Sequence, residues 1–413
     1  MSMRVLQVAH DHPDWTQGGT EILAHDLARA LDARPGVSAR FLAASTSLQE
    51  PDAAPGTLRA HGDDLVLQTG AYDRFSMSRL DGTDWIAALG GVLDRLRPDV
   101  VHLHGLDRIG AEVLAVIRRL APRSRIVLTL HDYQLICPNE GLLLTTTEGA
   151  RCRGARPDRC RRCFPEQPAA RHALRKAHLT ALLQSVDLFI APSAFLRERF
   201  LDWGVAPERI RLVPNAVALP PAPPEAARSR RNRFGFFGNL APHKGPLVLL
   251  AAAAILRDAG ADIRVALHGG LGWADAAFRQ AFAARLAAAE PLAQHLGPYD
   301  RSDVVPLMRS VDWVVVPSTW WENAPLVIHE ARAAGRPVIC SGIGGMAELV
   351  EDGVTGLHVP PGDVAALAET MQLAAADPAG WDRMARALAP ASHAAFVDAH
   401  LGLYHGLRDR VAA

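Results

Sequence analysis

The chain has 413 residues, too many for one hydrophobic core, and carries 44 Lys+Arg against 44 Asp+Glu. That balance excludes a global electrostatic pull on nucleic acid, so no nucleic-acid partner is expected. No uncharged apolar run reaches the roughly 18 residues of a spanning helix. Met1 to His10 has the pattern of a first strand and lacks the long apolar stretch and small-residue cleavage site of a secretory leader. A cytoplasmic protein is the expectation, in a compartment that disfavours disulfides.

In chain order, Val5–Ala9, Asp99–His104, Ile126–His131, Leu188–Pro192 and Arg211–Asn215 read as strands. Helical segments at Glu21–Leu31 and Thr83–Leu96 lie between them. The alternation begins again after residue 233, with strands at Phe234–Gly238, Ile263–Gly269, Trp313–Pro317 and Pro337–Ser341. Leu247–Ala259, Pro325–Ala334 and Val364–Ala374 read as the accompanying helices. Wholly apolar strands alternating with helices predict parallel sheets covered on both faces. Two sets predict two doubly wound α/β domains, residues 1–208 and 209–380, with the hinge near 205–211. Pro220–Arg233, rich in Pro, Ala and Arg, reads as a surface loop. Open parallel sheets bind ligands at the carboxyl ends of their strands. His10, His104, His131, Gly238, Gly269, Pro317 and Ser341 all follow strands, and two such sheets facing each other would enclose a cleft.

Three constellations suit a sugar joined to a nucleotide. Gly238-Asn239-Leu240-Ala241-Pro242-His243-Lys244-Gly245 links a strand to a helix. Glycine lets backbone approach phosphate, and a helix start and Lys244 both attract it. The spacing is not that of a Walker loop, and an ordinary turn with a solvated lysine is the alternative. Glu322 and Glu330 flank Pro325, which suits a first helical turn. A carboxylate inside the apolar helix needs partners, and ribose hydroxyls serve, as would Arg332 on a surface. Gly342, Gly344 and Gly345 then form a loop able to tolerate a diphosphate. Earlier, Gly18-Gly19-Thr20-Glu21 opens a helix after the first strand, without the G-x-G-x-x-G of a nicotinamide enzyme. His131-Asp132 ends a strand. The histidine can donate to a sugar hydroxyl, move a proton, or simply hold structure. His102 and His104 carry the same ambiguity. Trp320 and Trp321 either shape the pocket or pack.

Cys137, Cys152, Cys160 and Cys163 sit in a loop, 137–168, with little core of its own. The closing C-x2-C is half of a zinc knuckle, and four thiolates complete a tetrahedral structural Zn2+ site. Unligated thiols and a Cys160/Cys163 redox pair are the alternatives. Arg151–Lys176 holds nine Arg and Lys. A solvated face is the ordinary reading. The other is a surface that meets an anionic acceptor or an anionic membrane bearing a lipid-linked one, placing the protein peripherally at the inner membrane surface.

These residues together resemble the retaining GT-B glycosyltransferases of family four, in a subfamily with a Cys-rich insertion in the N-terminal domain. The likeness runs through Gly18-Gly19, Asp99-Val-Val-His102, His131-Asp132, Ala191-Pro-Ser193 and Val213-Pro-Asn215. It continues through Phe236-Phe-Gly238, Lys244-Gly245, Leu296-Gly297, Pro317-Ser318, Glu322 to Glu330, Ala334-Gly-Arg-Pro-Val338, Gly344-Gly345, Glu348 and Asp352-Gly-Val-Thr-Gly356. The resemblance implies two Rossmann-like domains, with residues 381–413 packing back on the first. It implies a nucleotide-diphosphate sugar donor and a saccharide or lipid-linked acceptor. Lys244 would contact the diphosphate, Glu330 the ribose, and Glu322 the transferred sugar or the loop beside it. Amides from Asn323, Ala324, Pro325 and Leu326 would face sugar and phosphates. His131 would reach the donor sugar, and Gly18 and Gly19 would line the phosphate and acceptor side, as Gly238 and Asn239 would line the donor. No catalytic metal is expected, since lysine and helix starts take that role. Two departures stand out: Asn239 occupies a position usually held by arginine, and Ala216 one usually held by glycine. A non-catalytic sugar-nucleotide-binding partner, or a phosphorylase or epimerase on the same fold, remain the alternatives.

Overall fold

The structure, a computed structural model, describes residues 2–16, 18–46, 53–80, 82–219, 230–272 and 274–412. The chain divides into two compact units, Met1–Asn215 with Ser392–Ala413, and Ala216–Ala391.

Among the described residues the first unit contains ten strands: β1 (Met3–His10), β2 (Val37–Thr46), β3 (Leu58–His61), β4 (Asp64–Thr69), β5 (Tyr72–Asp73), β6 (Ser78–Arg79), β7 (Val100–His104), β8 (Arg125–Thr129), β9 (Leu188–Ala191) and β10 (Ile210–Leu212). Eight of them form one sheet in the order β10-β9-β8-β7-β1-β2-β4-β3, while β5 and β6 pair separately. Every pairing in the large sheet is parallel except β3 with β4. Of the polar residues of β1, Gln7 is the buried one, and burial obliges it to find partners. It donates through Nε2 to the Tyr404 hydroxyl (3.1 Å) and accepts at Oε1 from His104 Nε2 (2.7 Å). Tyr404 lies on the helix His393–Ala412, and its hydroxyl is also 2.6 Å from His102 Nδ1. That helix is tied on further by Arg125, which donates to the Leu407 carbonyl.

The second unit has six parallel strands: β11 (Arg233–Phe237), β12 (Arg264–His268), β13 (Ala293–Gly297), β14 (Trp313–Val316), β15 (Val338–Ser341) and β16 (Gly356–Val359). Their order is β13-β12-β11-β14-β15-β16. One face packs Phe234, Phe236, Trp313 and Val315 against the helices Pro246–Asp258 and Val364–Ala376. The other packs Phe237, Val314 and Val316 against Val304–Ser310 and Leu326–Ala333.

Three expectations about boundaries need correction. Ile210–Leu212 pairs with β9, so the first unit runs on past residue 208 to Asn215. Trp381 and Met384 belong to the second unit's core, and Trp381 Nε1 donates to the Asp312 carbonyl (2.7 Å). The return to the first unit therefore begins at Ser392, not at 381. Within Pro220–Arg233, residues 220–229 lie outside the described residues. Arg231, however, is buried under Trp381 (3.5 Å to the ring centre) and pairs with Asp312 and Asp382, and Arg233 opens β11. Strands β2, β3, β4, β13 and β16, and the short β5 and β6, escaped the sequence reading. Of these β3, β13 and β16 are edge strands, which need no apolar run, and β13 alternates buried and exposed positions.

Replacing Tyr404 with Phe removes one hydroxyl and strands two buried groups, Gln7 Nε2 and His102 Nδ1. The expected loss is about 1–3 kcal/mol in urea unfolding, with the fold retained. An unchanged midpoint would show that this hydroxyl does not anchor the last helix.

Candidate active site

Each large sheet reverses its strand order once, between β7 and β1 in the first unit and between β11 and β14 in the second. Such a reversal splays the following loops apart and leaves a crevice at the carboxyl edge. The residues singled out by sequence gather at these two points.

In the second unit, Gly238 follows β11 with φ +117°, and a Cβ there would meet nothing within 4 Å. The backbone at this turn is open on that side. Asn239 beside it is exposed. The turn Pro242–Lys244 is then pinned to the end of β14, because Gly245 (φ +75°) lies where a Cβ would be 2.0 Å from the Pro317 carbonyl oxygen. This contact delivers Lys244 to Glu322: Nζ is 2.6 Å from Oε1. Ser318 Oγ donates to the same oxygen (2.9 Å). Burial alone would raise the Glu322 carboxyl. The Lys244 charge and the hydrogen bonds overcome it and hold the group below the usual carboxylate range.

Glu330 is the opposite case. It lies one helical turn inside Leu326–Ala333, buried, and among the described residues nothing hydrogen-bonds its carboxylate. Burial raises it to about 7, moderated by Arg301. The Arg332 alternative is not realised, since Arg332 turns to the Leu349 carbonyl. Pro325 has no N–H, so of the four residues expected to offer amides only Asn323, Ala324 and Leu326 have one to give.

The glycine loop also packs closely on the backbone that carries Glu322. At Gly345 a Cβ would sit 1.3 Å from the Asn323 carbonyl oxygen, and Gly345 N donates to the Glu322 carbonyl (2.8 Å). Gly344 (φ +55°) also presses on Glu322, and Gly342 abuts His358. Gly344 and Gly345 thus help to fix the peptides on either side of Glu322. Sequence reasoning missed an aromatic cluster at the same edge. Phe237, ending β11, stacks on His268, ending β12 (4.7 Å, 3°), with Tyr299 edge-on to both. Aromatic residues closing adjacent strands were the available signal. Burial and nearby Glu330 push the Tyr299 hydroxyl up. Trp320 lies with Lys244 Nζ 5.4 Å from its ring centre, so it does face the Lys244–Glu322 pair.

In the first unit, His131 Nε2 is 3.0 Å from His104 Nδ1, with the rings stacked. Burial lowers His131 to about 3, and His102 and His104 fall well below the usual range for the same reason. His131 is therefore neutral and is no source of a proton near neutrality. Asp132 is raised to about 6 by burial. His10, ending β1, lies 3.1 Å from Glu21 Oε1. Burial opposes its charge, but Glu21 raises it to about 9, making this strand-end residue an imidazolium. Gly18 makes room for that same Glu21: a Cβ there would be 2.4 Å from Oε2. The start of the helix Gly19–Asp32 thus already faces its own carboxylate, which bears against the phosphate role expected of Gly18 and Gly19. The four clustered cysteines line one cavity. Of the basic run, Arg161 and Arg162 are exposed, but Arg175 is buried and donates to the Leu135 carbonyl.

Residues 17–220 match the model of Glycosyltransferase Family 4, and residues 231–377 that of Glycosyl transferases group 1. The chain is a glycosyltransferase of the GT-B fold. A glycogen synthase of Mycobacterium tuberculosis is 27% identical over 93% of this glycosyltransferase and 89% of its own length. A D-inositol 3-phosphate glycosyltransferase of Mycobacterium sp. is 36% identical over 50% of this chain, a match spanning 48% of that relative. Among solved structures, sucrose-phosphate synthase from Thermosynechococcus elongatus shares the fold with a TM-score of 0.72 at 19% identity, covering all of both chains. Anabaena Alr3699/HepE, solved in complex with UDP and glucose, does so with a TM-score of 0.67 at 19% identity over 98% of this chain and 100% of that one. Among the described residues no helix is long and apolar enough to cross a membrane.

Lys244→Ala leaves Glu322 buried and charged. The expected cost is roughly 1–3 kcal/mol, below the full penalty for a broken buried pair because Lys244 is partly exposed. Glu322 is depressed, so its contribution is present above the ordinary carboxyl range and is lost as pH falls through its folded value. Urea unfolding at about pH 8 and about pH 4 checks this; an equal loss at both would remove the ion pair as the cause.

Proposed function

We propose that this glycosyltransferase moves a sugar from a nucleotide-diphosphate donor to a saccharide or lipid-linked acceptor with retention at the anomeric carbon. The observation that carries the reading is the Lys244–Glu322 pair, set beside the open turn at Gly238 on the edge where the second sheet reverses. An arriving diphosphate gives Lys244 a second anion to hold. Glu330, lacking a hydrogen-bond partner for its carboxylate, takes the ribose hydroxyls. Glu322 orients the transferred sugar or the loop beside it, helped by the Asn323, Ala324 and Leu326 amides. The first unit takes the acceptor.

No second carboxylate stands as a nucleophile beside Glu322 in the reading, so the step is a front-face displacement. The bond from the anomeric carbon to the diphosphate oxygen breaks as the acceptor oxygen bonds to the same face. The acceptor proton passes to the departing phosphate oxygen. Lys244 stabilises the charge that develops there, with no catalytic metal in the scheme. Asn239 leaves one positive charge fewer than the family pattern, which keeps a binding-only partner as the competing outcome.

The test is nucleotide release from UDP-, GDP-, ADP- and dTDP-sugars by wild type, Lys244→Ala and Glu330→Ala, beside nucleoside diphosphate thermal shifts. Release from one donor, lost in both variants, is expected. Nucleotide binding without release in any acceptor mixture would favour the binding-only partner, and no binding at all would overturn both. Glu330 adds a pH signature. Its carboxyl is raised from 4.5 to about 7, so the folded state keeps a proton the unfolded state loses, and stability falls across that window. Glu330→Gln should therefore raise the melting temperature at about pH 8, where the cost of the buried charge approaches 3 kcal/mol, and little at about pH 5. Ribose binding by the ionised form should tighten over the same rise in pH. A pH-independent shift would detach Glu330 from the nucleotide.

The exposed Arg161 and Arg162 give the acceptor side a basic surface suited to an anionic lipid headgroup. Reversing both to Glu should weaken sedimentation with phosphatidylglycerol vesicles while leaving donor binding intact. Equal sedimentation of the two proteins would restrict the run to a solvated face.

A further inference from the structure

None of the five cysteines takes part in the chemistry above, and four of them lie close together in the chain. Cys137 follows the loop after β8, Cys152 follows an isolated bridge between Leu144 and Arg151, and Cys160 and Cys163 lie on the helix Pro157–Cys163. The sequence scatters them over a long loop, yet all four line one cavity of about 210 Å³. On the loop side Leu143 is buried, and Phe164, just past the helix, packs on Phe75 and His172. The helix Pro157–Cys163 itself buries no residue and has no side-chain cap. Thr146 Oγ1 donates to the Cys163 carbonyl (2.8 Å), joining loop and helix. A short helix that buries no side chain is not ordered by burial of its own residues.

We propose that this cavity is a structural zinc site, with Cys137, Cys152, Cys160 and Cys163 as its four ligands. Thiolates are soft donors that select zinc, and four of them close a tetrahedral, non-catalytic site. Cys160 and Cys163 supply two ligands from one turn of helix, and the loop supplies the other two. Binding converts four thiols to thiolates and releases four protons to solvent, leaving a net charge of minus two on the centre. Basic residues stand ready to offset it: an Arg159 amine is 3.5 Å from Cys152 Sγ, with Arg161 and Arg162 on the same helix.

The cavity is wider than a loaded centre. Among the described residues no three of these sulfurs lie within 4.8 Å of one another, whereas Zn–S bonds of about 2.3 Å imply sulfurs about 3.8 Å apart. Loading the site therefore draws helix and loop together. The helix has no buried side chain to dislodge, so the movement costs little packing. The zinc also reaches the acceptor side. Cys137 N–H donates to the Tyr133 carbonyl (2.7 Å), and buried Arg175 holds the Leu135 carbonyl (2.8 Å) in the same loop, directly after His131 and Asp132. The metal fastens the far end of the loop that those two residues begin.

The full chain, purified under reducing conditions without chelator, should contain one zinc per molecule by elemental analysis. Cobalt exchanged into it should give the intense visible bands of tetrahedral thiolate coordination. Removing the metal with a strong chelator should lower the melting temperature and expose four thiols to a disulfide reagent. Cys160→Ser with Cys163→Ser should abolish the cobalt bands, while Cys340→Ser, at a buried position in β15, should keep them. If the double variant does not fold, the wild-type cobalt spectrum decides. A metal-free protein that takes up neither zinc nor cobalt overturns the proposal. So does a Cys160–Cys163 disulfide in freshly isolated protein, or iron with acid-labile sulfide in place of zinc.

Discussion

A parallel sheet buried on both faces has no place for an unpaired polar group except where the chain leaves it. That constraint organises both units. Inside the first sheet, polar side chains occur as mutually satisfied sets: Gln7 with Tyr404 and His104, His102 with Tyr404 and Thr129. At the carboxyl edges, by contrast, Lys244, Glu322, Glu330 and His10 carry charge that the sheets could not hold in their interior. Burial, and not the preference of any single residue, thus determines where chemistry can be placed.

The two glutamates show how nearby positions in the chain acquire different states. Glu322 has a lysine and a serine within hydrogen-bond reach and stays ionised. Glu330 has only a more distant arginine charge and keeps its proton up to about neutrality. One carboxylate is held toward its anionic form, and the other changes state near neutrality. Pairs driven apart in this way divide roles within a site.

Much of this was legible in the sequence. Apolar strands such as Trp313–Val316 and the strand-end positions of Gly238, Lys244 and Glu322 follow from periodicity and turn chemistry, and the two doubly wound sheets follow with them. The edge strand Ala293–Gly297 did not, because its burial depends on one neighbour. The role of Gly345 was also hidden. Its glycine is required by a carbonyl twenty-two positions earlier, and no local pattern announces a backbone contact of that kind. Arg231 looked like a loop residue for the same reason: its partners, Asp312 and Trp381, are remote in sequence. Long-range contacts, and the charge states they impose, are what single-sequence reasoning lacks.

The hydrogen bonds around Gln7 form a directed relay. Gln7 gives its amide proton to Tyr404, so its oxygen must accept, and His104 must present Nε2–H to it. His104 Nδ1 is then a lone pair, which obliges His131 to hold its own proton on Nε2. A phenol on the last helix thereby selects the tautomer of a ring at the edge of the sheet.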